Sequence, residues 1–360
     1  MDILELRYSL APQMREYDRM GENWLPYVMF FQRANYTSSV VNTDTRGFRW
    51  TYKNDQVMRD FHYDQGLPVS VLIGSSAVFG VGATHDRQTM ASRLNAQTDD
   101  LWVNFGGRAY NSTQELLLFL FHHHRLKNIK RVVIYSGLNN IVTSFFSEDE
   151  YLEYGKFFHC NTFNKQLNYK TIAFKRRMIL SLMNFISDNK LGTAIDYKYI
   201  SRKDLLKAIF KSKRSEKSSI NTNELNGAAE NKLLDIFNRD LLNWKILSNS
   251  MGFELYYILQ PFATWMMKEK SSEEEQLFSA LDNYQKVWAR LLKKIDGTYY
   301  QWFAQGLQDI CDKSGITFID LNKKLPAANI DREWIFVDRI HLTDRGYDQV
   351  AQIVRDEVRS

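Results

Sequence analysis

The sequence predicts an α/β chain: a three-layer α/β/α sandwich on a parallel sheet, with an N-terminal extension and a helical insertion. Three observations predict it. Short β-branched apolar runs alternate with helical stretches, the pattern of a parallel sheet covered on both faces. The run Val69-Ser70-Val71-Leu72-Ile73 breaks at Gly74-Ser75-Ser76, as an interior strand does where it leaves a sheet. A serine just past such an exit stands where open α/β sheets bind ligands.

Taken in order, residues 1–66 are aromatic-rich and irregular. They read as an extension packed on the core, with room for a short hairpin at its end. Within them, Asn42 to Gly47-Phe48-Arg49 reads as a turn with a packed Phe. Strands are then expected at 69–74, 101–105, 131–135, 254–259 and 317–321, each a short apolar run. Helices are expected at about 86–97, 112–127, 229–250, 273–313 and 343–358, the last capped by Thr343. Glu273-Glu274-Glu275 reads as the acidic first turn of its helix. Five strands suit a flavodoxin-like sandwich, so residues 67–360 form one domain, interrupted by a mostly helical insertion at about 145–228.

Composition narrows the class. The chain is 44% hydrophobic and 25% charged, ordinary for a soluble protein. No apolar run approaches the ~20 residues that span a bilayer, so no transmembrane segment is expected. The start, Met1-Asp2-Ile3-Leu4-Glu5, is acidic where a signal peptide is basic, and a cytoplasmic location follows as the expectation. Cys160 and Cys311 make neither a disulfide framework nor zinc spacing. The net charge of +5 conceals an uneven distribution: residues 161–220 hold 14 Lys/Arg against 4 Asp/Glu. This basic insertion reads as a solvated face, or as a surface for an acidic carrier protein or other anionic partner. Nucleic acid is disfavoured, because no nucleic-acid-binding motif accompanies the charge.

A serine nucleophile needs a base, a carboxylate to orient that base, and donors for the oxyanion it creates. Asp338 and His341 are three residues apart before the last helix, close enough for the carboxylate to reach the imidazole Nδ1–H. The second strand ends in Asn104-Phe105-Gly106-Gly107-Arg108-Ala109-Tyr110, and the third in Ser136-Gly137-Leu138-Asn139-Asn140. His122, His123 and His124 are consecutive on a helix and cannot converge on one ion, so no metal site is expected, and no cofactor.

These four blocks, in this order, resemble those of the SGNH, or GDSL-like, hydrolase superfamily, over residues 69–140 and 254–358. The resemblance implies a catalytic triad of nucleophile Ser76, base His341 and orienting acid Asp338. It implies an oxyanion hole from the main-chain N–H groups of Ser76 and Ala109 and the side-chain amide of Asn139. Three positions depart from the family pattern: Ser75 and Asn140 replace acids, and Ala109 replaces a glycine, whose backbone freedom it lacks. Arg108 adds a cation, read either as a ligand for a substrate anion or as solvent-facing. The implied function is an esterase or deacylase working through an acyl-enzyme on an O-acyl ester, on a small molecule, a carbohydrate or a carrier-bound substrate. An acyltransferase with the same triad and a catalytically silent binding module are the alternatives. Trp50, Phe79, Tyr110 and Trp334 offer aromatic surface for a sugar or an acyl chain.

Overall fold

The computed structural model describes residues 3–62, 66–145, 155–160, 163, 177, 227–284 and 286–359. Two short helices and two antiparallel hairpins come first: α1 (Ile3–Leu10), α2 (Met14–Arg19), β1 (Glu22–Leu25) with β2 (Met29–Gln32), and β3 (Thr51–Lys53) with β4 (Gln56–Met58). The body continues through β5 (Val69–Gly74), α3 (Ser76–Phe79), α4 (Met90–Gln97), β6 (Leu101–Gly106), α5 (Ser112–His122), β7 (Ile129–Ser136) and α6 (Leu138–Phe145). A helix at Gly227–Met251 leads into β8 (Glu254–Leu259). Helices at Ser272–Tyr284, Lys286–Lys294 and Gly297–Ser314 precede β9 (Thr317–Asp320), and the last helix spans Asp344–Arg359. The chain divides into two compact units, Met1–Phe158 with Leu225–Ser360, and His159–Glu224. In the second, the Phe163 N–H donates to the His159 carbonyl at 2.8 Å. The basic insertion expected at about 145–228 lies almost wholly outside the described residues.

The main sheet has five parallel strands in the order β6-β5-β7-β8-β9. Renumbered from its first strand, this is the flavodoxin-like order 2-1-3-4-5, whose switch point lies between its first and third strands. Here those strands are β5 and β7, and Ser76 follows β5 directly. Alternation within each run decides which face a side chain serves. Val71, Ile73, Val132, Ile134, Tyr257 and Leu259 enter one core, and Leu72, Val133, Tyr135 and Ile258 the other. Each aliphatic side chain buried this fully is worth roughly 1.5–3 kcal/mol relative to exposure. The three strands around the switch point end level, since Gly74 pairs with both Gly106 and Tyr135.

Helix boundaries follow their caps. The Thr89 side chain accepts from Ser92 N–H, so α4 starts at Met90 and residues 86–88 form a separate 3-10 turn. Asn111 and Gln114 form a reciprocal capping box on α5. The long helix expected over 273–313 is instead interrupted at Asp296. Asp296 accepts from the N–H groups of Thr298 and Tyr299 at 2.9 and 3.0 Å and starts a new helix.

Close backbone approach decides where glycine is required. A Cβ on Gly106 would sit 2.1 Å from the Phe79 nitrogen, whereas one on Gly297, first residue of its helix, would meet nothing within 4 Å. Gly106→Ala is expected to cost about 3 kcal/mol by overpacking, and Gly297→Ala to add about 0.4–1 kcal/mol by restricting the unfolded chain. Urea denaturation of both variants reads the opposite signs.

A second consequence concerns Glu115 on α5, which is fully buried and accepts the Ser136 hydroxyl at 2.8 Å. Burial, aided by the charge of Asp240, pushes its carboxyl up to about 8. Between the ordinary value of 4.5 and about 8 the folded chain keeps a proton that the unfolded chain has lost, so stability falls as pH rises through that window. Glu115→Gln is expected to flatten this part of the profile and to be the more stable form near pH 8; denaturation midpoints across the window measure it.

Candidate active site

Ser76 is the first residue of α3, so its main-chain N–H has no intrahelical acceptor. It is half-buried, while Ser75, the residue before the helix, is only 2% exposed. Of the two adjacent serines, Ser76 is therefore the one open to a ligand. The Ser76 hydroxyl lies 2.8 Å from His341 Nε2, and His341 Nδ1 lies 2.8 Å from Asp338 Oδ2. The second Asp338 oxygen accepts the N–H groups of Ile340 and His341 at 2.9 and 2.8 Å. Burial alone would raise the Asp338 carboxyl; the adjoining His341, through its charge and its hydrogen bonds, outweighs that and holds it well below the usual carboxylate range. A carboxylate only accepts, so Nδ1 carries the proton and a neutral ring leaves Nε2 to accept from the serine.

The loop bearing Asp338 and His341 is closed on itself. Val337 N–H donates to the His341 carbonyl at 2.9 Å and Thr343 N–H to the Ile335 carbonyl at 2.8 Å. It hangs from the helix at Ser272–Tyr284. Buried Glu274 accepts the N–H groups of Ile335 and Phe336, both at 3.0 Å, and pairs with Lys268 at 2.7 Å. Arg339 pairs with Asp282 and lies over the Phe278 ring. Glu273–Glu275 do form the acidic first turn of that helix, and Glu274, its middle member, also supports the Asp338–His341 loop. Its only signal in the sequence was position: Ser271 and Glu274 have capping-box spacing, and the Glu274 carboxylate does accept the Ser271 N–H.

The two halves of the site meet at Gly82. Its φ is +101°, and a Cβ there would sit 2.3 Å from the Leu342 carbonyl oxygen. The Tyr347 hydroxyl donates to the Val81 carbonyl at 2.8 Å beside it.

On the other side of Ser76, Gly107 N–H donates to the Gly74 carbonyl at 2.8 Å, and Tyr110 N–H closes a turn onto Gly107 at 3.0 Å. Ala109 occupies the third position of that turn with φ +61°. The left-handed region is thus open to this alanine, contrary to the restriction read from the sequence, at a cost of about 1–2 kcal/mol. Asn139 donates one amide hydrogen to the Tyr110 carbonyl at 2.7 Å, which joins the third block to the second. Asn140 is structural: it accepts the Ser112 N–H and donates to the Ser112 hydroxyl, each at 2.9 Å.

Other expectations need correction. Arg108 is half-buried and donates to the Met20 carbonyl at 2.9 Å, a main-chain contact that neither reading of the sequence named. Burial pushes its guanidinium down, against the nearby carboxylates of Glu22 and Asp18. Phe79 and Tyr110 are wholly buried and offer no stacking surface. His122 packs its ring against Phe48, and His123 stacks on Phe119.

No protein-family model matches the chain, and no curated protein does. Among solved structures it is similar to an acetyl xylan esterase, at 13% identity over 81% of this chain and 99% of that one, with a TM-score of 0.37. It is also similar to a lipase/acylhydrolase from Enterococcus faecalis, at 12% identity over 81% and 95% of the two chains, TM-score 0.38. A third is a member of the lipolytic protein G-D-S-L family from Veillonella parvula DSM 2008, at 10% identity over 80% and 96%, TM-score 0.36. On its own strand order the chain has a flavodoxin-like three-layer α/β/α fold, with Ser76 leaving β5 and the Asp338–His341 loop leading into the last helix.

Proposed function

We propose that this protein is a serine esterase or deacylase that cleaves an O-acyl ester through an acyl-enzyme. The observation that carries the reading is the unbroken relay from Asp338 through His341 to the Ser76 hydroxyl, with 2.8 Å at each step. Such a relay activates a hydroxyl that is otherwise a weak nucleophile.

Ser76 Oγ attacks the ester carbonyl as its proton passes to His341 Nε2. The imidazolium is stabilised by Asp338, which stays ionised throughout. The oxyanion receives hydrogen bonds from the N–H groups of Ser76 and Ala109 and from the Asn139 amide. Collapse breaks the bond to the alcohol, which leaves with the proton from His341. Water then gives its proton to Nε2, attacks the acyl-Ser76 carbonyl, and the acid departs as Ser76 recovers its hydrogen.

A fluorophosphonate probe should label the folded wild type and the Ser75→Ala variant, and should fail on Ser76→Ala. Asp338→Asn should lower turnover of p-nitrophenyl acetate by about 10⁴-fold, because the ring loses its tautomer. A folded wild type that takes no label, or label retained by Ser76→Ala, refutes the reading.

A further inference from the structure

We propose that Arg49, in the N-terminal segment, is a positioning residue for Ser76, an inference that rests on the esterase reading. Arg49 and its partner Asp86 have wholly buried side chains, with Arg49 Nε 2.8 Å from Asp86 Oδ1. Arg49 Nη1 donates to the carbonyls of Phe79 and Gly80, at 3.1 and 2.8 Å, and to the Tyr17 hydroxyl at 2.8 Å. Nη2 donates to the Val40 carbonyl at 2.9 Å. Phe79 is the last residue of α3 and Gly80 its C-cap, while Ser76 is its first residue. The guanidinium therefore grips the far end of the single turn that carries the nucleophile.

The chemistry of that grip is specific. Carbonyls at a helix C-terminus lack intrahelical donors and carry partial negative charge, so a cation there satisfies both. A planar fork of five donors can serve a carboxylate and several carbonyls at once; a lysine cannot. Asp86 is itself fixed by Asn42, through its main-chain N–H at 3.1 Å and its amide at 2.7 Å. Asn42 and Arg49 are the two ends of the stretch that reads in sequence as a turn with a packed Phe; the turn brings both onto one carboxylate. Tyr17 adds a second hold, with its hydroxyl 2.9 Å from the Gly80 carbonyl and 2.7 Å from that of Ala83. Because the Arg49 side chain is wholly buried it cannot touch substrate, so its effect must reach the reaction through the placement of Ser76.

The test uses the full chain. Arg49→Lys keeps a cation opposite Asp86 but loses the fork. Val358→Ala, a buried substitution near the end of the last helix, serves as a variant destabilised without touching α3. Near-UV circular dichroism at the assay temperature checks the fold of each. Turnover of p-nitrophenyl acetate and the rate of fluorophosphonate labelling are then compared with wild type. Arg49→Lys should lose about 10²-fold in kcat and in labelling rate, the scale of a misplaced reacting group, with KM unchanged; Val358→Ala should lose neither. Wild-type kinetics in folded Arg49→Lys, or the same loss in Val358→Ala, overturns the positioning role. If Arg49→Lys does not fold, the double variant Arg49→Met with Asp86→Asn, which removes both buried charges together, takes its place, and a folded double variant with unchanged kcat overturns it equally. A wild type that takes no label overturns the esterase reading, and the positioning role with it, whereas a labelled wild type beside an unaffected Arg49 variant overturns only the latter.

Discussion

One turn of helix cannot hold itself together. Nucleating a helix fixes several dihedrals for one hydrogen bond, and α3 runs only from Ser76 to Phe79. Its shape must come from its surroundings, and the site is built around that need. The α3 backbone lies so close to the end of β6 that Gly106 has no space for a Cβ. Asn104, two residues earlier, donates to the Val78 carbonyl at 2.8 Å and accepts the Gly106 N–H at 2.9 Å. One asparagine thus fastens the strand end to the turn. Gly74 obeys the same rule at the strand exit, where a Cβ would fall 2.1 Å from the Tyr135 carbonyl oxygen. Gly74 and Gly106 are places where main chain touches main chain.

His341 arrives from the other end of the sequence, 265 residues after Ser76. Two residues that far apart stay within hydrogen-bond distance only if both loops are rigid. The Asp338–His341 loop has its rigidity from Glu274, whose carboxylate takes two main-chain N–H groups of the loop and a lysine. A buried carboxylate with partners on all sides is stable; one that lost Lys268 would carry an uncompensated charge in the core. Charge pairing under the loop and glycine contact at Gly82 therefore act together to fix one distance.

The strands were legible in the sequence because both faces of a parallel sheet are buried, and the runs at 69–74, 101–105, 131–135 and 254–259 carry that apolar pattern openly. The Asp338–His341 pair was legible because its spacing is local. What stayed hidden depends on distant partners. Nothing around Arg49 announces Asp86, and nothing around Arg108 announces the Met20 carbonyl; both cations find their acceptors only after folding. The acidic triplet at 273–275 matched a helix start, and only the fold singles out its middle member as buried. The break at Asp296 could have been read, since Asp before Gly-Thr is a capping signal; the apolar periodicity on either side masked it.

The same logic redefines the N-terminal segment. Besides Arg49 and Tyr17 on α3, Gln32 donates to the Gly106 carbonyl at 2.6 Å. Tyr110 donates to the Phe30 carbonyl at 2.5 Å, and Arg108 to that of Met20. Gly106, Arg108 and Tyr110 belong to the strand end and turn that present Ala109. A left-handed alanine is strained, and strain persists only where the surroundings over-determine the conformation. Here the turn is held at Gly107 by Gly74, at Tyr110 by Asn139, and along its length by residues 20–32. The first fifty residues therefore supply part of the scaffold on which Ser76 and the Ala109 turn rest.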